Sequence, residues 1–266
     1  MKLRLAISAA TRKTGGMLKV STWNVNGIRA RKDELPELIA REQPDVLCLQ
    51  EIKAAADKVP EGLVCHPDYW CYWHGHKGYS GVALLLSRAR FPTEPKFTHP
   101  DFDEETRIVV AREGDLTFVS TYVPNGGKDF EAKLRFLTAL EGFVAAEQAE
   151  GRRLVLAGDL NVAREERDVH PSLRRSDLIG CTPTERAWFA RVLGLGLVDV
   201  GRTFAPDDDR LFTWWAPWRN LREKNVGWRI DYVLASEPLA ARATGCACDR
   251  AFGKSDHGPL TATFDV

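Results

Sequence analysis

The sequence lacks an apolar stretch of the roughly 18 residues that a membrane-spanning helix requires. Its first residues carry several charges and only one short apolar run, which is not the pattern of a secretory signal peptide. We therefore expect a cytoplasmic protein with no membrane partner.

The chain also lacks net charge, because its 37 Lys and Arg residues are matched by 37 Asp and Glu residues. A polyanion such as DNA must then be met by a local basic surface, since the chain as a whole does not attract it. Neither a P-loop pattern nor a G-x-S-x-G sequence is present. These absences exclude P-loop nucleotide hydrolases and hydrolases with a nucleophile elbow.

Cysteine is scarce, with six residues in 266, so the chain is not a disulfide-stabilised scaffold. One stretch nevertheless combines cysteine and histidine. Its members are Cys65, His66, Cys71, His74 and His76. Their spacing matches no paired Cys-x-x-Cys motif, and we predict no structural zinc site among them.

The length and the hydrophobic content of 44% suit one large domain with a single fold. Residues 1–16 are basic and lack hydrophobic periodicity, which predicts a disordered tail ahead of a domain over residues 17–266. Helices are predicted over residues 28–43, 129–148 and 182–193 from their apolar spacing and capping residues.

Several predicted strands end in polar residues. The apolar residues 154–157 predict a strand buried on both faces, and Asp159 and Asn161 follow it. Open α/β sheets bind ligands at the carboxyl ends of their strands, although an ordinary turn also favours Gly, Asp and Asn. Both interpretations stay open for this stretch alone.

Two earlier strands show the same arrangement. The alternating residues 17–23 are followed by Asn24 and Asn26, and the apolar residues 45–50 are followed at once by Glu51. A glutamate at this position is either a surface acid or a metal ligand held by a rigid element.

Near the end of the chain, residues 227–235 are predicted to form one strand. Trp228 and Ile230 then lie on one face and Asp231 on the other. A carboxylate within a buried strand is costly unless it is paired, and His257 is the expected partner.

Three loops carry residues suited to phosphate or base contact. Tyr122 and Asn125 can reach a phosphate or cap the next helix. The long loop that contains Arg174 and Arg175 is the best local basic patch, and loops of its length are usually functional. Trp214 belongs to an aromatic stretch that favours either base stacking or burial in the core.

Taken together, the candidates are four carboxylates, four amides, a tyrosine and a histidine. They are Glu51, Asp159, Asp231, Asp256, Asn24, Asn26, Asn125, Asn161, Tyr122 and His257. Carboxylate and amide oxygens suit Mg²⁺ or Mn²⁺ rather than zinc, and such an ion binds phosphate. A His paired with one Asp is an oriented imidazole, and another Asp can activate water.

Six blocks of the sequence resemble the signatures of exonuclease III-type apurinic/apyrimidinic endonucleases, within the endonuclease/exonuclease/phosphatase superfamily. They are WNVNGIRA (23–30), LQEIK (49–53), YVPNGG (122–127), GDLNVA (158–163), NVGWRIDYVLAS (225–236) and SDHGPL (255–260). The fifth block is the most particular to the DNA-repair branch. The resemblance implies an α/β fold, a DNase I-like four-layer α/β sandwich of two packed mixed β-sheets flanked by helices.

The resemblance also implies roles for individual residues. The ion would be held at or next to Asn24, Glu51, Asp159, Asn161, Asp256 and His257. Tyr122, Asn125, Asn161 and His257 would hold the phosphate. Asp231 would orient His257, and Asp159 would deprotonate the attacking water. Trp214, Trp228 and Ile230 would line the pocket for a flipped-out baseless sugar. Independently of the resemblance, the local basic patch leads us to expect that Arg174 and Arg175 contact DNA.

The implied activity is Mg²⁺-dependent cutting of duplex DNA 5′ to abasic sites, with 3′–5′ trimming of blocked 3′ ends, by a monomeric enzyme. Two alternatives stay open: a phosphomonoesterase for inositol phosphates, and a catalytically inactive DNA-binding module. The sequence departs from the family at Asn26, where some members have Asp. It departs again in the arginine-rich loop, which in this family bears on the balance between incision and exonuclease activity.

Overall fold

The structure is a computed structural model that describes residues 16–175 and 177–266. The predicted tail lies outside these ranges except for Gly16, whose backbone pairs with that of Val266. No helix in the described ranges is long and apolar enough to cross a membrane.

The described strands form two mixed six-stranded sheets. From edge to edge, the first sheet contains β11 (Ala243–Cys248), β12 (Leu260–Asp265), β1 (Met17–Asn24), β2 (Val46–Gln50), β4 (Tyr79–Ser87) and β3 (Tyr69–His76). The second contains β5 (Lys96–Thr98), β6 (Ile108–Glu113), β7 (Leu116–Tyr122), β8 (Arg153–Asp159), β10 (Asp231–Ser236) and β9 (Leu197–Asp199). In each sheet one central pair is parallel, β1 with β2 and β7 with β8.

The described helices are α1 (Glu34–Glu42), α2 (Glu61–Val64), α3 (Phe130–Ala149), α4 (Pro183–Gly194), α5 (Val200–Phe204) and α6 (Glu237–Ala240). Helices α1 and α2 pack on the outer face of the first sheet and α3 and α4 on that of the second, whereas Val200 of α5 and Leu239 of α6 pack into the core between the sheets. Short 3₁₀ turns lie at Ile28–Arg31, Ala56–Lys58, Glu166–Asp168 and Pro171–Leu173.

Neighbouring residues of the central strands pack into different hydrophobic layers. In β8, Val155 and Ala157 face the first sheet, whereas Leu154 and Leu156 pack with α3 and α4. Both faces of the strand are therefore buried, which explains its unbroken apolar sequence. The resulting order of helices, sheet, sheet and helices confirms the predicted four-layer α/β sandwich.

Two predicted helices have the expected caps. The Asp129 carboxylate accepts the backbone N–H of Ala132 at the start of α3. At the start of α4, Thr182 and Glu185 form a reciprocal capping box ahead of a first-turn proline.

The prediction of one helix over residues 28–43 was wrong. The segment divides into the turn Ile28–Arg31 and α1. Pro36 explains the division, because a proline inside a continuous helix would clash with the carbonyl four residues earlier. Since α1 begins at Glu34, Pro36 falls in its first turn, where no N–H is needed.

The predicted strand over residues 227–235 was too long at its start, because β10 begins at Asp231. Trp228 pairs instead with Trp214, and Arg229 donates its N–H to the carbonyl of Asp168. Gly227 permits this path, since a Cβ there would lie 2.3 Å from the carbonyl oxygen of Trp214. The segment therefore lies among loops and lines a cavity before it enters the sheet.

Candidate active site

A cavity of about 430 Å³ opens where both sheets end. Its lining is Asn26, Glu51, Lys53, Tyr122, Asn125, Asp159, Asn161, Ile179, Trp214, Trp228, Ile230, Asp256 and His257. Most of the predicted site residues are in this set, although they lie far apart in the sequence.

Strand pairing brings the acidic residues of the second sheet together. Tyr122 ends β7 beside Asp159 at the end of β8, and Asp159 lies opposite Asp231 at the start of β10. Gly158 permits the close approach of β7, because a Cβ there would lie 1.9 Å from the carbonyl oxygen of Thr121. The glycine of the Gly-Asp-x-Asn motif is thus required by packing.

Asn24 connects the two sheets at this edge. Its side-chain N–H₂ group donates to Glu51 Oε1 and to Asp159 Oδ2, each at 2.9 Å. Its oxygen accepts the backbone N–H of Asn26 at 3.0 Å. In this arrangement Asn24 supports the carboxylates as a donor, and its role as a metal ligand stays a prediction.

His257 and Asp231 form a buried pair, with 2.8 Å between Nδ1 and Oδ2. Burial disfavours the imidazolium, but the charges of Asp231 and Asp159 outweigh burial and raise the pKa of His257 to about 10. The buried acid predicted from sequence therefore has the expected partner. The Nε2 of His257 lies 3.8 Å from Asp159 Oδ2, beyond hydrogen-bonding distance.

Asp159 is buried among other acids. Burial and the negative charge of Asp231 raise the pKa of Asp159 to about 8. One carboxylate oxygen accepts the backbone N–H of Asn161 at 2.9 Å. Without a cation, this carboxyl group tends to hold a proton near neutral pH.

Glu51 and Asp256 are linked by a short hydrogen-bond chain. Lys53 contacts Glu51 Oε2 at 2.7 Å and donates to Asn26 at 2.6 Å, and Asn26 donates to Asp256 Oδ1 at 2.7 Å. Burial opposes ionisation of both acids. The donors Asn24 and Lys53 nevertheless leave the pKa of Glu51 below its usual value.

Asp256 is held ionised in a similar way. The charge of His257 and the donors Trp214 and Asn26 outweigh burial and leave the pKa of Asp256 below its usual value. Asn26 and Lys53 thus belong to the site. Asn26 was a candidate from sequence without an assigned role, whereas the only sequence signal for Lys53 was its place in the block LQEIK.

Around the cavity, negatively charged side chains outnumber positively charged ones. Four carboxylates, on Glu51, Asp159, Asp231 and Asp256, are accompanied by the cations Lys53 and His257. Ligand atoms of Glu51, Asp159 and His257 all lie within 4.8 Å of one another. A divalent metal ion fits this oxygen-rich donor set and would balance the two excess negative charges.

The candidates for phosphate contact, Tyr122, Asn125 and Asn161, line the same cavity. Tyr122 is buried, and burial with the charges of Glu51 and Asp159 raises the pKa of its hydroxyl, which therefore remains a donor. The guanidinium of Arg107 lies 4.9 Å from the centre of the Tyr122 ring.

Lys133, on α3, supports the loops that carry two of these candidates. Its ammonium donates to the carbonyl of Asn161 at 2.7 Å and to that of Asn125 at 3.4 Å. Glu185 neutralises it in a fully buried ion pair. Sequence analysis missed Lys133, because a lysine within an amphipathic helix is usually exposed.

Aromatic side chains form one wall of the cavity. Trp214 and Trp228 meet edge to face with their ring centres 6.2 Å apart, and Ile230 lies beside them. Trp214 also donates its indole N–H to Asp256 Oδ2 at 3.0 Å. Ile179 completes the apolar lining, and nothing in its sequence context had indicated this position.

The structure does not bring Arg174 and Arg175 to this cavity. They line a separate hollow of about 280 Å³. Arg174 donates to the carbonyl of Val169 at 2.9 Å, and Arg175 pairs with Asp177 at 2.8 Å. DNA contact by these two residues stays a prediction.

Comparison with known proteins gives a consistent result. The model of the Endonuclease/Exonuclease/phosphatase family matches residues 21–257. Recombination repair protein 1 of Drosophila melanogaster is 34% identical over 94% of this chain, which spans 37% of that longer protein. DNA repair nuclease APEX1 of Danio rerio is 35% identical over 94% of this chain and 83% of its own length. Exodeoxyribonuclease III of Haemophilus influenzae is 33% identical over 93% of this chain and 100% of its own length.

Solved structures share the fold. The 3′ phosphatase NExo from Neisseria, bound to a product DNA hairpin, has a TM-score of 0.85 and 32% identity, with 94% of this chain and all of that chain covered. An AP endonuclease from Archaeoglobus fulgidus has a TM-score of 0.82 with the same identity and coverage.

Proposed function

The chain belongs to the endonuclease/exonuclease/phosphatase family, and from that membership we propose a Mg²⁺-dependent DNA-repair nuclease that cuts duplex DNA 5′ to abasic sites and trims blocked 3′ ends. One observation carries the proposal. His257, which is held by the buried Asp231, lines one cavity together with the separate acid Asp159 and the donor Tyr122, and this cavity has an aromatic wall. The relatives named Recombination repair protein 1 and DNA repair nuclease APEX1 support a DNA-repair role.

A divalent ion fits the site by charge and by donor type. Glu51 and Asp256 would hold it, and the other residues proposed at or next to it are Asn24, Asp159, Asn161 and His257. The ion would neutralise negative charge on the phosphate oxygens. Mg²⁺ suits these oxygen donors, and Mn²⁺ is the expected substitute.

His257 stabilises the charge that develops on the phosphate. Its raised pKa keeps both ring nitrogens protonated at neutral pH, and Asp231 occupies only Nδ1. The Nε2–H group has no protein acceptor within hydrogen-bonding distance among the described residues. It is therefore free to donate to a phosphate oxygen, which accepts strongly from a charged donor.

Asp159 accepts the proton of the attacking water. Its high pKa in the metal-free protein would keep it protonated, but a nearby cation favours the charged carboxylate. The backbone N–H of Asn161 further stabilises that form and fixes the orientation of the carboxylate.

Tyr122, Asn125 and Asn161 act as neutral donors to the phosphate. Lys133 holds the backbone of both asparagines, so their positions are set before the substrate arrives. Each donor aimed at the developing charge contributes about 3 kcal/mol to transition-state stabilisation.

The aromatic wall accounts for selection of an abasic site. Trp214, Trp228 and Ile230 form one wall of the cavity of about 430 Å³, and this wall would line the space for a sugar without its base. A complete nucleotide would have to bring its base into the same space.

Removal of a 3′ phosphate is a second candidate activity, favoured by the likeness to the Neisseria 3′ phosphatase. The same donors would hold a terminal phosphate. Which activity predominates depends on how the cavity rim meets the DNA.

One experiment separates these activities and the alternatives. The protein is incubated with a duplex that contains a stable abasic analogue, with a duplex that ends in a 3′ phosphate, and with inositol polyphosphates. Each reaction is run with Mg²⁺ and with a chelator. We expect metal-dependent incision 5′ to the abasic site and metal-dependent trimming of the 3′ end.

His66→Ala serves as the matched control for His257→Ala, because His66 lies outside the cavity. His257→Ala should abolish cutting, and the control should cut normally. Phosphate release from inositol polyphosphates alone would overturn the proposal, as would tight binding of the abasic duplex without incision.

A further inference from the structure

A second group of metal-ligating side chains lies outside the active-site cavity. It consists of His74 in β3, His99 just after β5, and Asp103 in the loop that leads to β6. One ligand atom from each residue lies within 4.8 Å of the other two. None of the three lines the active-site cavity or takes part in the proposed chemistry.

The group joins the edges of the two sheets. β3 is the edge strand of the first sheet, and β5 is the edge strand of the second. Tyr72 stacks on Phe97 with ring centres 5.3 Å apart, and His74 stacks on His99 at 4.4 Å. The two histidines therefore continue an aromatic ladder that runs between the sheets.

Asp103 is oriented as a ligand would be. Its side chain is fully buried, and one oxygen accepts the backbone N–H of Arg107 at 2.6 Å. The other oxygen lies 2.5 Å from Nε2 of His74. A hydrogen bond that holds the far side of a ligand fixes its direction and strengthens its donor character.

The donor set differs from that of the active site. Two imidazoles and one carboxylate are typical of Zn²⁺ and related transition-metal ions, whereas the active site offers mainly hard oxygen atoms. His99 is exposed, so a fourth position remains open to water. The earlier Cys and His stretch contributes only His74 to this set, and its cysteines take no part.

We propose that His74, His99 and Asp103 form a binding site for one Zn²⁺-type ion that ties together the edges of the two sheets. Binding requires the lone pair of His74 Nε2, so a proton on Nε2 leaves to solvent, and a neutral ring takes up a proton on Nδ1 in exchange. The ion then takes its place between Nε2 and Oδ2. Ligand bonds of the usual length set these atoms about 3.3 Å apart in tetrahedral geometry, and the exposed His99 can move to complete the set.

The test uses the full chain with excess Mg²⁺ in the active site. Zn²⁺ is titrated calorimetrically into the wild type, His99→Ala and His66→Ala, and Co²⁺ is added in parallel to record its visible absorption. His99 is exposed, so its removal should leave the fold and Mg²⁺-dependent incision unchanged. His66 is a histidine of the same sheet region outside the group.

We expect the wild type and His66→Ala to bind one Zn²⁺ with the same affinity. The affinity of His99→Ala should be at least about tenfold lower, because loss of a hydrogen-bond partner of a metal ligand alone lowers metal affinity by about tenfold. Zn²⁺ should also raise the melting temperature of the first two proteins more than that of His99→Ala. Equal Zn²⁺ affinity in all three, or Co²⁺ spectra without imidazole-bound tetrahedral bands in the wild type, would overturn the proposal.

Discussion

Two buried clusters of charged side chains meet at residues 228–231, and they differ in charge balance. The catalytic cluster contains Glu51, Asp159, Asp231, Asp256, Lys53 and His257. The arginine cluster contains Asp168, Asp199, Arg164, Arg202 and Arg229. Arg229 and Asp231 are two residues apart, yet they belong to different clusters.

In the arginine cluster every acid is matched. Arg229 donates to both oxygens of Asp168 and to both oxygens of Asp199, and Arg202 and Arg164 add further pairs. The pKa of Asp199 lies below its usual value, because Arg229 and its neighbours outweigh burial. In the catalytic cluster acids exceed cations, and the pKa of Asp159 is raised.

The difference separates a structural role from a chemical one. A matched buried cluster fixes the loops that carry Trp228 and Val169, and its charges are already satisfied. An unmatched cluster in a cavity is unstable until a cation and a substrate complete it. Each of the following changes tests one side of this contrast.

The largest effect is expected for Asp159→Asn. Loss of the base should reduce the single-turnover rate of abasic-site incision by about 10²- to 10⁴-fold, with little change in DNA affinity. Asp199→Asn is the matched change in the arginine cluster, and it should affect stability more than rate. Equal losses of rate in both variants would remove the distinction between the clusters.

Arg229→Met should destabilise the fold by about 3–5 kcal/mol, because Asp168 and Asp199 would stay buried without their shared partner. Urea denaturation of the metal-free protein measures this change. His257→Ala is the comparison in the catalytic cluster. If Arg229→Met lowered the free energy of unfolding less than His257→Ala does, the arginine cluster would not be the structural one.

The two clusters should respond to pH in opposite directions. The raised pKa values of Asp159, about 8, and of His257, about 10, mean that the folded state holds extra protons. Their contribution to stability is lost as pH rises, from about 4 through 8 for Asp159 and from about 6.5 through 10 for His257. Asp199 has a lowered pKa, so its contribution is present above pH 3.8 and lost as pH falls.

Melting temperatures recorded in chelator should therefore fall between pH 6.5 and 10, within the window set by those pKa values. Mg²⁺ should flatten this decline, since the ion favours the ionised acids. If the melting temperature fell equally with and without Mg²⁺, the groups that titrate would lie outside the catalytic cluster.

The smallest effect is expected for Arg175→Ala. Arg175 is exposed, and its ion-pair partner within residues 16–175 and 177–266 is the equally exposed Asp177, so stability should change by less than about 0.5 kcal/mol. If this residue contacts a DNA phosphate as predicted, the salt dependence of binding should fall by about one unit in slope. If the slope of DNA affinity against salt concentration were unchanged, Arg175 would not contact a DNA phosphate.

Sequence reasoning identified residues whose chemistry conflicts with their local pattern. Asp231 within an apolar segment required a partner, and His257 supplies it. The positions of Asp159 and Glu51 at the ends of predicted buried strands marked both as candidates, but they lie in different sheets, and the local sequence does not show that the two sheet ends meet. The family blocks supplied the roles, which the residues alone left open.

Other parts of the structure depend on contacts between distant segments, which no local sequence pattern indicates. The arginine cluster joins residues from three separate segments, at 164–168, 199–202 and 229, and Arg229 was hidden inside a predicted strand. Lys133 belonged to a helix whose spacing predicted an exposed lysine, and it is buried because Glu185 lies on α4. Asp103 meets His74 only because the sheet edges are adjacent.

The most direct test is metal binding by carboxylates from the two sheets. Mn²⁺ binding is followed by electron paramagnetic resonance in the wild type, Glu51→Gln from the first sheet and Asp159→Asn from the second. The account predicts that both variants bind Mn²⁺ more weakly and lose incision together. Unchanged Mn²⁺ affinity in either variant would contradict a single ion shared by both sheets.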